Sequence, residues 1–480
     1  MSAATPDLAL DLPRLSSAYA DGSLTPSQLV EAILDAITAR GDDGVWIART
    51  ERDALFARAR ELEALSATER AAHPLWGVPF SVKDCIDVAG VPTTSACPGY
   101  AYIPARHNPA VARLLAAGAI LIGKTNMDQF ATGLVGVRSP YGVAQNPFDA
   151  AYIPGGSSSG AAVSVAAGLV SLALGTDTGG SGRVPAALNN VVGLKPTRGL
   201  VSGVGTVPAC RSIETISVFA LTVADAELGF DVIRAHDRTD PFARPLALRE
   251  AEAKPTFRFG VPAATWLEFF GDTAAAALFD AAAARLEVIG GIRVEIDFAP
   301  FREINDMLFL GPWLAERYGA FKPFLDQDIN AVLPVTRHIL LGGAQVTGAQ
   351  VFAGQQRLAV LKQTIDAQWR DIDVLVVPTT PTTYRVAEVE ADPITLNARI
   401  GIYTTFVNLA DLAALAVPSG FLPNGLPQGV TLIGPALSDR SLARLADRFH
   451  RSAGLPLGAR GRGNTASISN TIATNKEFAT

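Results

Sequence analysis

The sequence predicts a single α/β domain in which a large central mixed β-sheet is covered by α-helices on both sides. Three observations predict it. From Leu75 onward, short apolar runs alternate with helical segments, the pattern of a sheet layered between helices. Several runs, such as Val78–Lys83 and Asp373–Pro378, are apolar enough to be buried strands. No shift in composition marks a linker, so the 480 residues read as one large unit.

The elements follow in order. Thr25-Pro26-Ser27-Gln28 predicts a helix start, with Thr25 as N-cap, Pro26 at the first helical position and Gln28 closing a capping box. That helix runs to about Ala39, with Leu29, Ile33 and Ile37 on one face. A second helix covers Arg52 to Leu65. Residues 1–70 are therefore expected to be a helical segment packed on the core. Strands are predicted at Val78–Lys83, Ala119–Lys124, Phe257–Val261, Ile292–Ile296, Asp373–Pro378 and Gly429–Gly434. Helices are predicted at Pro109–Ala117, with Gly118 as its stop, at Thr273–Ile289 and at Arg440–Ala453. Ala161–Leu174 reads as one buried helix, too short to span a bilayer. The main domain covers 71–457, and the polar segment 458–480 is expected to be mobile.

Composition narrows the function. The chain is 49% hydrophobic and 18% charged, with a net charge of −6 and no long basic run. Nucleic acid and acidic membranes are thereby excluded as partners. Cys85, Cys97 and Cys210 are too few for a disulfide framework or a zinc site. A cytoplasmic protein that needs no metal or cofactor is expected. The N-terminus lacks the basic start and apolar core of a signal peptide.

Two Gly-Gly-Ser turns carry the chemistry: Pro154-Gly155-Gly156-Ser157-Ser158-Ser159-Gly160 and Gly175-Thr176-Asp177-Thr178-Gly179-Gly180-Ser181-Gly182-Arg183. Either turn alone could be structural. A phosphate loop fails, because no Gly-Lys-Ser/Thr follows. Gly156–Gly160 matches the nucleophile elbow of α/β-hydrolases, but the preceding Asn146–Asp149 is loop rather than strand. That reading also needs His236, His338 or His450, and none sits in a motif-like setting.

The fourth reading is a Ser-Ser-Lys triad. Pro79-Phe80-Ser81-Val82-Lys83-Asp84, Gly123-Lys124-Thr125-Asn126-Met127 and the two serine turns stand in the order and spacing of a known family. The segment Gly77–Arg198 resembles the amidase signature family. The resemblance implies the amidase-signature fold, with Ser181 as nucleophile, Ser157 as proton relay after a cis Gly156–Ser157 bond, and Lys83 as base. The amides of Thr178, Gly179, Gly180 and Ser181 would form the oxyanion hole. A lysine ordinarily titrates near about 10.4, so Lys83 must be desolvated to be a neutral base, and its apolar strand suits that. Lys124 is expected to be solvated or ion-paired, and Asp177 to pair with Arg183.

Within the family the resemblance is to allophanate hydrolases, carried by Ser181-Gly182-Arg183-Val184-Pro185-Ala186, Gly311–Tyr318, Val377–Thr382 and Phe406–Ala414. Allophanate is N-carboxyurea. Arg317 matches the arginine that would clamp its carboxylate, a role suited to a planar guanidinium. The other reading of Arg317 is a surface ion pair beside Glu316. Phe309 departs from the family's tyrosine and implies a more apolar substrate pocket. The chain also ends soon after the amidase segment, without the separate C-terminal domain these enzymes often carry. A urethane or aryl-amide hydrolase would keep the triad and tolerate Phe309. An amidotransferase A-type subunit, working with a partner protein, shares it too. A small amide or carbamate is the expected partner molecule. A homodimer could form through the N-terminal helices.

Overall fold

The computed structural model describes residues 10–245, 248, 255–309 and 311–459. The described residues contain eleven strands: β1 (Trp46–Arg49), β2 (Pro79–Lys83), β3 (Ile120–Thr125), β4 (Leu172–Asp177), β5 (Val192–Lys195), β6 (Thr215–Ala220), β7 (Phe257–Pro262), β8 (Gly291–Ile296), β9 (Val374–Pro378), β10 (Leu412–Phe421) and β11 (Pro427–Pro435). They join in one sheet, in the order β1-β3-β2-β4-β6-β5-β10-β11-β9-β7-β8. β3, β2 and β4 run parallel, as do β9, β7 and β8. The strands between these groups pair antiparallel, so the sheet is mixed.

Helices cover both faces, as the alternation predicts. Successive residues of a strand point to opposite faces. Accordingly, Val374 and Val376 of β9 enter one core cluster while Leu375 and Val377 enter another. The first cluster includes Phe279 and Leu286 of the helix Thr273–Val288 and Leu442 and Phe449 of the helix Asp439–Ala453. The second includes Phe301 and Ile304 of the helix Ala299–Phe309 and Leu361 and Ile365 of the helix Gly348–Gln368. Burial on both sides explains why β2 and β9 are buried along their whole length.

A helix at Leu12–Ala20 precedes the one predicted from Thr25, which spans Pro26–Arg40 with its capping box formed. The Gln28 amide donates to Thr25 Oγ1 at 3.3 Å, and the Thr25 amide donates to Gln28 Oε1 at 2.8 Å. The helix predicted at Arg52–Leu65 spans Arg52–Glu63. Between them lies a departure from the helical reading of residues 1–70: Trp46–Arg49 forms the edge strand β1, paired antiparallel with β3. Four residues were too short a run for apolar periodicity to register. Ala161–Leu174 also departs from expectation. It holds the end of the helix Ser159–Ala166 and the start of β4, with the chain turning at Gly168, φ +68°. Periodicity does not separate a buried helix from a buried strand, since both faces of each are apolar. Of the segment 458–480, Ala459 donates its amide to Ala166 O at 2.9 Å. Residues from 460 onward lie outside the described residues. Among the described residues no helix is long and apolar enough to cross a membrane.

Candidate active site

β2 and β4 are parallel neighbours, so their C-terminal ends lie side by side. Lys83 closes β2, and Thr176 and Asp177 close β4. Ligand sites in α/β sheets favour such strand ends. Lys83 Nζ donates to Ser157 Oγ at 2.7 Å and to Thr176 Oγ1 at 2.8 Å. Ser157 Oγ, 24 positions from Ser181 in sequence, donates to Ser181 Oγ at 2.9 Å. The three side chains form one continuous hydrogen-bonded path, and all are buried. The Gly156–Ser157 bond is cis. Its surroundings hold it on both sides: the Gly156 amide donates to Leu134 O at 2.8 Å, and the Asp128 amide to Ser157 O at 3.0 Å.

Burial pushes the Lys83 pKa below its ordinary value. Cys85, Glu214, Asp128 and Asp177 oppose that shift electrostatically without reversing it. Among the described residues no carboxylate lies within ion-pair distance of Nζ. A lysine whose pKa is pushed down, within hydrogen-bond reach of a hydroxyl, is the arrangement a lysine base requires.

The turn after β4 carries Ser181. Asp177 and Arg183 are both fully buried and pair through two bonds of 2.9 Å each. Burial alone would raise the Asp177 pKa; the Arg183 charge and hydrogen bonds, the Lys195 charge and the Gly182 amide together outweigh it and hold the carboxyl below its ordinary value. The Gly180 and Gly182 amides each donate to Asp177 at 3.0 Å, so the carboxylate ties the turn at two points. This alters the expected oxyanion hole. The Gly180 amide is engaged with Asp177, whereas no described residue accepts from the amides of Thr178, Gly179 and Ser181. Gly180 has φ +131°, and a Cβ there would lie 2.4 Å from Thr404 Oγ1, so only glycine fits. Gly182 is required for space: a Cβ would lie 2.6 Å from Ser217.

Ser158 stands outside the path. Its hydroxyl donates to Thr176 O at 3.2 Å, pinning the relay turn to β4. The histidine-dependent elbow gains nothing either, since His236 and His338 are exposed and no histidine bonds to either serine among the described residues. Lys124 is ion-paired and buried, 3.1 Å from Asp84, with further bonds to Thr93 Oγ1 and Pro92 O.

Arg317 lies on the helix Trp313–Asp328 and is buried, not on the surface. The ion pair with Glu316 is absent, because Glu316 accepts from the Ser212 amide at 2.7 Å and its hydroxyl at 2.6 Å. The guanidinium carbon stands 5.4 Å from the Phe309 ring centroid. Arg317 Nε and Nη1 take no hydrogen-bond partner among the described residues. Leu308, next to Phe309, packs against the turn that carries Ser181, its Cδ2 2.9 Å from where a Gly179 Cβ would stand. Phe309 also packs on the small cluster that contains Val184, three residues after Ser181.

Sequence reasoning missed several contributors. Thr176 holds Lys83 opposite Ser157. Asn408 donates to Asp177 O at 2.7 Å and to Ile213 O at 3.0 Å, bracing the turn from a distant segment. Asp128 accepts from the amides of Gly136 and Arg138, shaping the loop under the relay serine. Threonine and asparagine carry no local signature for such work. Only the motif around Asn408 hinted at it. Among the described residues no group of three or more His, Cys, Asp or Glu side chains could hold a metal ion.

The chain belongs to the amidase family, whose model matches residues 28–443. Amidases cleave amide carbon–nitrogen bonds. The chain is 43% identical over 446 residues to urea amidolyase of Lachancea kluyveri, covering 92% of this chain but 24% of that relative. The chain therefore spans about a quarter of the urea amidolyase length. The solved allophanate hydrolase of Kluyveromyces lactis superposes with a TM-score of 0.88 at 40% identity, covering 94% of this chain and 75% of that one. The A-type subunit of glutamyl-tRNA(Gln) amidotransferase from Chloroflexus aggregans is 34% identical, covering 91% of this chain and 94% of that relative.

Proposed function

We propose that this chain hydrolyses the amide bond of allophanate, or of a closely related carbamoyl compound, through an acyl-enzyme on Ser181. The observation that carries the reading is the unbroken path Lys83–Ser157–Ser181, with burial pushing the Lys83 pKa down toward a neutral amine. With Lys83 neutral the two hydrogen bonds turn round, Ser181 donating to Ser157 and Ser157 to Nζ, and Lys83 takes the Ser157 proton as Ser157 takes that of Ser181. Ser181 Oγ attacks the carbonyl carbon, and the amides of Thr178, Gly179 and Ser181 receive the developing oxyanion. Ser157 then delivers a proton to the leaving nitrogen, and Lys83 reprotonates Ser157. Water enters by the reverse of the same path and releases the acyl group.

Arg317 supports the choice of substrate. It is a buried guanidinium with two nitrogen atoms unpartnered among the described residues, set against Phe309, a good match for a substrate carboxylate. The likeness to an allophanate hydrolase points the same way. A second reading, an aryl carbamate or aryl amide, draws on Phe309, whose apolar ring covers Arg317 at the position of the family's tyrosine. A third, an amidotransferase A-type subunit that needs a partner, draws on the likeness to the Chloroflexus protein. A cytoplasmic enzyme suits three buried free cysteines, and a homodimer through the N-terminal helices remains part of the proposal.

The test compares ammonia release from allophanate with cleavage of a small aryl carbamate by the isolated chain. Faster turnover of allophanate, lost in Ser181→Ala, supports the reading. Preference for the aryl carbamate transfers it to the second. Activity on neither without an added partner favours the third.

A further inference from the structure

The turn that carries Ser181 is held by a carboxylate that the hydrolytic path leaves unused. Glu214 lies just before β6. Its Oε2 accepts from Thr178 Oγ1 at 2.8 Å and from the Ala209 amide at 2.8 Å. Its Oε1 is buried and takes no partner among the described residues. The Glu214 amide donates to Cys210 O at 3.0 Å, and Ser212 is bonded to Glu316, so the segment 209–214 joins the oxyanion turn to the helix of Arg317.

A buried carboxylate is costly unless hydrogen bonds and charge compensate it. Among the described residues no cation lies within ion-pair distance of Glu214, yet Lys83 and Arg211 both act on it electrostatically. Burial raises its pKa, and the Ala209 amide, Lys83 and Thr178 pull it back. Four groups face Lys83: Cys85 after β2, Glu214 before β6, Asp128 after β3 and Asp177 at the end of β4. Of the carboxylates, Glu214 acts on Lys83 most strongly.

We propose that Glu214 is a positioning residue of this site, setting the oxyanion turn through the Thr178 hydroxyl and presenting its negative charge to Lys83. The proposal rests on the Ser-Ser-Lys reading. The two roles separate chemically. Glutamine in place of Glu214 keeps an acceptor for Thr178 and Ala209 but removes the charge. Valine in place of Thr178 removes the hydroxyl and leaves the charge.

The test is the pH dependence of Ser181 labelling by a small fluorophosphonate, which reads the free enzyme whatever its substrate. Without the carboxylate, protonated Lys83 is less favoured, so neutral Lys83 persists to lower pH. In Glu214→Gln the acid limb is expected to move to lower pH, with the plateau rate within a few-fold of the parent. In Thr178→Val the limb is expected to stay, and the plateau to fall at least about tenfold, since a misplaced oxyanion donor weakens transition-state stabilisation. A Glu214→Gln limb coinciding with the parent's overturns the proposal, as does a Thr178→Val plateau equal to the parent's. Should Glu214→Gln fail to fold, Thr178→Val alone decides. Labelling that persists in Ser181→Ala overturns the hydrolytic reading instead.

Discussion

Lys83 bonds to Ser157, and it is Ser157 that bonds to Ser181: the first contact is 2.7 Å and the second 2.9 Å. Under the proposed mechanism Ser157 is a required step in the path and not a neighbour of it. Ser157→Ala should lower kcat by about 10²–10⁴, the range for losing a positioned acid–base group. Ser181→Ala should abolish turnover. Ser158→Ala should retain most activity, because that hydroxyl bonds only to the backbone of Thr176. Initial rates of ammonia release check all three. Loss in Ser158→Ala equal to that in Ser181→Ala would restore the elbow reading.

The state of Lys83 links activity to stability. Its folded pKa lies below its ordinary value of 10.5 because burial penalises the charge. The unfolded chain therefore binds more protons between the folded pKa and the ordinary one, and stability rises with pH across that window. Lys83→Met removes this penalty and the activity together. The melting temperature of Lys83→Met relative to the parent should decline as pH rises toward 10. A difference independent of pH would mean that Lys83 is charged in the folded chain.

Arg317 offers a separation of substrates. Losing a charge-assisted hydrogen bond to a carboxylate costs about 1.5–3 kcal/mol, so Arg317→Ala should raise KM for allophanate about 10- to 100-fold. An uncharged aryl carbamate should be much less affected. Phe309→Tyr should lower KM for allophanate by supplying a hydroxyl donor beside the guanidinium. Unchanged allophanate kinetics in Arg317→Ala would remove the clamp.

The Asp177–Arg183 pair should matter for folding as well as for the turn. Asp177→Asn leaves Arg183 buried without its counter-charge, a loss of about 3–5 kcal/mol. The Asp177 pKa is depressed in the folded chain, so the parent's advantage is present above the ordinary carboxylate value and is lost as pH falls through the folded one. Urea denaturation at pH 7 and at acid pH measures both parts. Equal stability of the two proteins at pH 7 would show the pair to be dispensable.

Local chemistry made much of this protein legible from its residues alone. The Thr25–Gln28 capping box, the apolar runs of β2 and β9 and the two Gly-Gly-Ser turns each record a short-range constraint, so each can be read where it stands. The Asp177–Arg183 pair was legible for the same reason, lying within one turn. Tertiary structure decided what depends on distant segments. It made β1 an edge strand and divided Ala161–Leu174 between a helix and a strand. It assigned the Gly180 amide to Asp177, buried Arg317 away from Glu316, and set Thr176, Asn408 and Glu214 around the path. Those outcomes follow from which chain segments pack together, and a threonine or glutamate in sequence carries no mark of the partner that packing will bring to it.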